Sequence, residues 1–201
     1  MRVVIVDYGM GNIKSIKSAL NYLNVDVIVS NKYKELKNSD KLLLPGVGSF
    51  KKAIDTIKNL ELDKILEELV LENKKPILGI CLGMQLLVKS SEEGGFNKGL
   101  GFVNAECKKF DISLRVPHIG FNQVKKNKNS ILFREIETES DFYFVHSYRI
   151  ESSVDIRQSF CEYEEKFVAS FEKDNIFGVQ FHPEISQTNG LKLLDNFLKG
   201  S

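Results

Sequence analysis

Short, unbroken apolar runs alternate with stretches of helical periodicity through the first half of the chain, and this alternation restricts the fold more than any other feature. Val3-Val4-Ile5-Val6 is β-branched and continuous, the pattern of a strand buried on both faces, and it ends at the turn Gly9-Met10-Gly11-Asn12. Ile13, Ile16, Leu20 and Leu23 then recur at helical spacing, with Lys14 and Lys17 turned outward. Val25 to Val29 reads as a second strand. Leu42-Leu43-Leu44 is a third, ending at Pro45-Gly46-Val47-Gly48, and Pro76 to Ile80 is a fourth, ending at Cys81. Ile54, Ile57, Ile65, Leu66, Leu69 and Val70 mark one or two helices between the last two. Right-handed crossovers between such strands predict an α/β fold, a mostly parallel sheet with helices on both faces.

The second half changes character. Phe102 to Phe110, Asp141 to Glu151, Lys166 to Glu172 and Ile176 to Phe181 are strand-like and separated by polar turns. They either extend the sheet with antiparallel strands or form a smaller one. Leu191, Leu194 and Leu198 close the chain with an amphipathic helix. The 201 residues contain no repeat or low-complexity linker and are read as one domain, 1–201.

Charge and cysteine content narrow the function. Lys and Arg number 28 against 27 Asp and Glu, so no excess charge points to nucleic acid or a membrane surface. The longest largely apolar run, Pro76 to Val88, falls short of the roughly 20 residues that span a bilayer. Asp7 directly follows the first apolar run and leaves no room for an export signal core. Cys81, Cys107 and Cys161 are odd in number and widely spaced, which fits a reducing cytoplasm rather than a disulfide framework.

Gly79-Ile80-Cys81-Leu82-Gly83, between a buried strand and the helical run Met84 to Lys89, has the strand-turn-helix layout of a nucleophile elbow with Cys in place of Ser. The glycines relieve crowding about a central residue whose side chain must project from the turn, and a thiol at a helix start feels the positive end of the helix dipole. A buried core cysteine is the commoner fate of a lone Cys, but the flanking glycines tip the balance toward a nucleophile. Such a thiol needs a base and an orienter, and His182-Pro183-Glu184 supplies both, because residues i and i+2 of an extended segment share a side. Acyl transfer also needs donors where negative oxygen develops: the Leu82 N–H is one candidate, and Pro45-Gly46-Val47-Gly48 is another source. Gly9-x-Gly11 is not a dinucleotide fingerprint, since its third glycine would fall at Lys14, and the scattered His and Cys give no metal-ligand spacing; no cofactor is expected.

With these residues in view, the chain resembles the class I, triad-type glutamine amidotransferases, and within them the glutaminase subunits of imidazole glycerol phosphate synthase. The resemblance is carried by Asp7-Tyr8-Gly9-Met10-Gly11-Asn12, Pro45-Gly46-Val47-Gly48, Gly79 to Gln85, Pro117-His118-Ile119-Gly120, Phe144-Val145-His146-Ser147-Tyr148 and Gly178 to Glu184, in order along the whole chain. It implies a flavodoxin-like sheet, L-glutamine as substrate, Cys81 as nucleophile, His182 as proton shuttle and Glu184 as its orienter. It also implies oxyanion donors at Gly48 and Leu82 with Val47 beside them, and Gln85, Glu93, Ser147 and Tyr148 around the glutamine head group. The partner it implies is a (β/α)8-barrel synthase subunit that receives the ammonia in a heterodimer, with Asn12, Phe121 and Ile185 on the face toward it. At two of those positions the chain departs from the family pattern: Phe121 stands where Trp is usual, and Ile185 where a Lys usually follows His-Pro-Glu. An apolar side chain cannot form the ion pair of that Lys. These departures leave the triad intact and raise an alternative pathway, a paralogous subunit supplying ammonia to a sugar amidotransferase in surface-polysaccharide or flagellar-glycan synthesis.

Overall fold

The computed structural model describes residues 1–200. Strand β1 (Arg2–Val6) leads to helix α1 (Ile13–Tyr22), then β2 (Asp26–Ser30), the short α2 (Tyr33–Lys37) and β3 (Lys41–Leu44). Helices α3 (Phe50–Asn59) and α4 (Leu62–Leu66), the latter running on into a π-helical segment over Glu67–Glu72, precede β4 (Ile77–Ile80) and the five-residue α5 (Leu82–Leu86). Strands β5 (Val88–Ser91), β6 (Asn97–Lys98), β7 (Val103–Lys109), β8 (His118–Lys125), β9 (Glu139–His146), β10 (Tyr148–Glu151), β11 (Ser159–Tyr163), β12 (Glu165–Lys173) and β13 (Ile176–Val179) follow. A 3-10 turn over Pro183–Ile185 and helix α6 (Gln187–Lys199) complete the described chain.

All thirteen strands belong to one sheet, with the path β2-β1-β3-β4-β13-β12-β10-β7-β5-β6 and a side branch in which β11 joins β12 to β8, and β8 pairs with β9. The first five strands of that path are mutually parallel, and β12, β10 and β7 continue antiparallel, so the strands of the second half extend the sheet. Alternation along β1 feeds two cores: Val4 and Val6 pack with residues of α3, α4 and α5, whereas Val3 and Ile5 pack with α1, α6 and the β8–β9 layer. Helix α3 shows the cause of its own docking, because Phe50, Ala53, Ile54 and Ile57 form its one buried stripe. Each of its three large apolar side chains contributes about 1.5–3 kcal/mol on burial.

The helical run expected over Met84 to Lys89 is corrected by the structure. The helix starts at Leu82 and stops at Leu86, and Val88–Ser91 is a strand that pairs in parallel with β7. Its apolar residues fit either period, and the free edge of β7 decides the conformation. The dipole expected to act on Cys81 is therefore that of a single short turn.

The carboxyl ends of β3, β4 and β13 open on one edge of the sheet, the usual place for a site in a parallel α/β fold. The β13–β4 register sets Val179 opposite Ile80, so the residues that follow β13 lie beside Cys81.

Candidate active site

Cys81 sits at the sharp turn from β4 into α5 with φ 55 and ψ −114, a backbone conformation that costs on the order of 1–3 kcal/mol. Its N–H donates to Val179 O at 2.8 Å, which fastens the strained residue to β13. The flanking glycines answer to close backbone approach. A Cβ on Gly83 would lie 1.7 Å from Leu44 O, and one on Gly79 would lie 2.7 Å from both Gly83 O and Met84 N.

The sulfur has His182 for a neighbour. His182 Nδ1 donates to Glu184 Oε1 at 2.9 Å, and the Glu184 side chain is fully buried. Both residues were expected to share a side in an extended segment; instead His182 is extended and Pro183–Ile185 forms a 3-10 turn that returns the carboxylate to the Nδ1 edge of the ring. Nε2 is buried without a hydrogen bond that meets ordinary geometry, and is free to take or give a proton toward the pocket. Burial works against the imidazolium, but contacts with the Cys81 thiol and the Glu184 carboxylate outweigh it and lift the His182 pKa to about 10. Asn12 Nδ2 donates to the same Glu184 oxygen at 3.4 Å.

A cavity of about 420 Å³ opens over this group. Its walls include Cys81, His182 and every residue expected around the substrate: Val47, Gly48, Leu82, Gln85, Glu93, Ser147 and Tyr148. Tyr8 Oη donates to Pro45 O at 2.6 Å and anchors the loop that carries Val47 and Gly48, the latter at φ +98. Leu82 is the first residue of α5, so its N–H has no acceptor within the helix. Glu93 Oε2 accepts from Phe50 N at 2.9 Å, so one carboxylate oxygen caps α3 while the side chain also faces the cavity.

Phe121 and Ile185 stand outside the cavity and are exposed. Phe121 packs edge-on against Tyr143, its register partner on β9, and Ile119 and Val145 form the next exposed pair of the same hairpin.

Sequence reading did not single out Gln180 or give a role to His118 and His146. Gln180 is wholly buried and its Nε2 lies 3.8 Å from Cys81 Sγ; the period-2 spacing from His182 was the available signal. His146 lines the cavity, and burial pushes its pKa down to about 3 and that of His118 down to about 4. Cys107 and Cys161 lie elsewhere, with burial pushing both thiols up to about 12. A larger depression of about 640 Å³ over β7 and β10 is lined by no cysteine or histidine, and its Lys108 and Arg149 pair with Glu151. No cluster of His, Cys, Asp and Glu among the described residues has the makings of a metal site, and no described helix is long and apolar enough to cross a membrane.

Comparison with known proteins bears on the family and the fold. The profile of the family "Glutamine amidotransferase class-I" matches residues 4–200. "Imidazole glycerol phosphate synthase subunit HisH 1" of Campylobacter jejuni (strain RM1221) is 46% identical over 199 residues, covering 98% of this chain and 99% of that one. "Imidazole glycerol phosphate synthase subunit HisH" of Aquifex aeolicus (strain VF5) is 44% identical over 202 residues, covering 98% and 96%. Among solved structures, a glutamine amidotransferase superposes with a TM-score of 0.76 at 17% identity, covering 97% of this chain and 96% of that one. PurLQS from Thermotoga maritima superposes with a TM-score of 0.75 at 17% identity, covering 98% and 97%. These likenesses in structure bear on the fold, and the identities bear on descent: the chain belongs to the class-I glutamine amidotransferase family.

Proposed function

We propose that this chain, as one domain over 1–201, is the glutaminase subunit of imidazole glycerol phosphate synthase. The observation that carries the reading is the meeting of a strained cysteine, a carboxylate-held histidine and the expected substrate contacts in one cavity. Cys81 attacks the side-chain amide carbon of L-glutamine, and the N–H groups of Gly48 and Leu82, beside Val47, meet the oxyanion. His182 gives its proton to the departing nitrogen, the carbon–nitrogen bond breaks, and ammonia leaves a γ-glutamyl thioester on the sulfur. His182 then takes a proton from water, the resulting hydroxide attacks the thioester, and glutamate departs with Cys81 restored. Glu184 holds the ring and balances its charge throughout. Gln85, Glu93, Ser147 and Tyr148 hold the amino-acid head group, with Glu93 facing its ammonium.

The ammonia passes to a synthase subunit, a (β/α)8 barrel that forms a heterodimer with this chain. Its docking face is the exposed apolar set Ile119, Phe121, Val145 and Ile185 beside Asn12, a grouping of the kind that marks a protein partner. Three buried free thiols suit a cytoplasmic setting. The test is ammonia release from glutamine by this chain mixed with the histidine-pathway barrel subunit of the same organism, with and without that subunit's nucleotide ligand. Strong stimulation supports the pathway. Absence of stimulation, with Cys81 still labelled by a glutamine-like electrophile, favours the second reading, a paralogue serving a sugar amidotransferase, for which apolar Phe121 and Ile185 at the docking face speak.

A further inference from the structure

One backbone carbonyl fixes the orientation of every polar group behind the nucleophile. Tyr148 O can only accept, and two side chains converge on it: His146 Nδ1 at 2.8 Å and Gln85 Nε2 at 3.0 Å. Gln85 therefore presents its amide nitrogen, and the same nitrogen reaches Gln180 Oε1 at 2.8 Å. Gln180 in turn has its oxygen engaged and its nitrogen directed at Cys81 Sγ, 3.8 Å away. Reversing Gln180 would set oxygen against sulfur and nitrogen against nitrogen; reversing Gln85 would set carbonyl against carbonyl.

The histidines hold the node from the other side. A proton on His146 Nδ1 leaves Nε2 as an acceptor, which His118 Nδ1 fills at 3.2 Å, and His118 Nε2 accepts from Asn122 Nδ2 at 3.4 Å. Burial keeps both rings neutral, as this one-way chain requires. Asn122 Nδ2 also donates to Glu162 O at 2.9 Å, so the chain starts on a fixed point of β11.

We propose that Gln180 is a further catalytic residue, whose amide N–H, held in orientation by Gln85 and the Tyr148 carbonyl, stabilises the thiolate of Cys81. The inference rests on the reading of Cys81 as the nucleophile. A donor is useful at that atom because negative charge sits on sulfur before attack and again when the thioester breaks. The other titratable groups about the sulfur are His182, backed by Glu184; Tyr8, whose hydroxyl is pushed above its usual range by burial and by the Cys81 charge; and, lining the same cavity, His146, Glu93 and Tyr148. Substitution at position 180 leaves all of them in place.

The test follows alkylation of Cys81 by iodoacetamide, in which a carbon–sulfur bond forms as iodide leaves, across pH in the full-length chain. Gln180→Met keeps the volume and removes the donor, and Gln180→Glu sets a carboxylate near the sulfur. The expected result is alkylation about three- to tenfold slower at pH 7 for the Met variant, with the midpoint of the pH profile moved upward, and a larger effect for the Glu variant. A packing role alone would change melting temperature and leave the midpoint in place. A folded Gln180→Met chain with the wild-type midpoint overturns the proposal; should that variant fail to fold by circular dichroism, an unshifted Gln180→Glu profile overturns it equally. Labelling of wild-type Cys81 by 6-diazo-5-oxo-L-norleucine is measured alongside. Failure there overturns the glutaminase reading, whereas labelling with unshifted variants overturns only the role of Gln180.

Discussion

Asn12 and Glu184, 172 positions apart in sequence, meet at the carboxylate oxygen that also receives the His182 Nδ1 proton. The turn after β1 thus reaches the carboxylate that holds the His182 ring, and a position first expected at the partner face also bears on the histidine. Asn12→Ala is expected to lower kcat for glutamine hydrolysis about tenfold with little change in KM, the loss of one hydrogen bond to a charged group. A change confined to KM, or to partner affinity, would place Asn12 at the docking face alone.

The histidines set two opposite pH slopes. The His182 pKa is raised to about 10 in the folded chain, so its contribution is complete below the unfolded value near 6.5 and is lost as pH rises toward 10. His118 and His146 are lowered to about 4 and 3, so theirs is complete above about 6.5 and is lost as pH falls toward those values. Melting temperature against pH should fall on both sides of neutrality. His182→Ala should flatten the alkaline limb only, and His118→Phe the acid limb.

Cys81→Ser should reduce glutamine hydrolysis by a thousandfold or more while sparing synthesis driven by added ammonia in the assembled enzyme. Peptide mass spectrometry after treatment with a glutamine-like electrophile should find label on Cys81 and not on Cys107 or Cys161, whose thiols burial holds at about 12. Equal labelling of all three would remove the case for an activated nucleophile.

Gly83→Ala would drive a methyl group to 1.7 Å from Leu44 O, where rigid backbone of β3 cannot give way. The expected cost is about 3 kcal/mol or more, a fall in Tm on the order of 6–12 °C for a chain of this size. Differential scanning calorimetry decides it, and a Tm within 2 °C or so of wild type would mean that the elbow relaxes.

Phe121→Ser should weaken association with the synthase subunit by about 2 kcal/mol, roughly thirtyfold, and leave alkylation of Cys81 in the free chain unchanged. Titration calorimetry for the first and thiol kinetics for the second separate docking from chemistry.

The parallel half of the sheet is legible in the sequence because β1, β3 and β4 are buried on both faces and therefore read as continuous apolar runs, with glycine turns marking their carboxyl ends. Strands β8 and β11 are not, because their burial alternates or breaks: Ile119 and Phe121 are exposed, while His118 is buried. Strand β5 reads as helix, since Val88 to Ser91 carries no period of its own and takes its conformation from the β7 edge. Such pairings join residues far apart in sequence, and local pattern does not encode them.

The same division runs through the site. Local spacing determined the glycine-flanked elbow around Cys81 and the pairing of His182 with Glu184 two positions on, although a 3-10 turn, not the extended backbone the spacing implied, makes that contact. Only the tertiary structure decided that Gln180 turns its nitrogen to the sulfur, that Glu93 also caps α3, and that His118 and His146 face each other across the β8–β9 hairpin as neutral rings. An amide's orientation, a carboxylate's second partner and a histidine's charge are set by what surrounds them in space, and the register of β13 on β4 and of β8 on β9 assembles those surroundings.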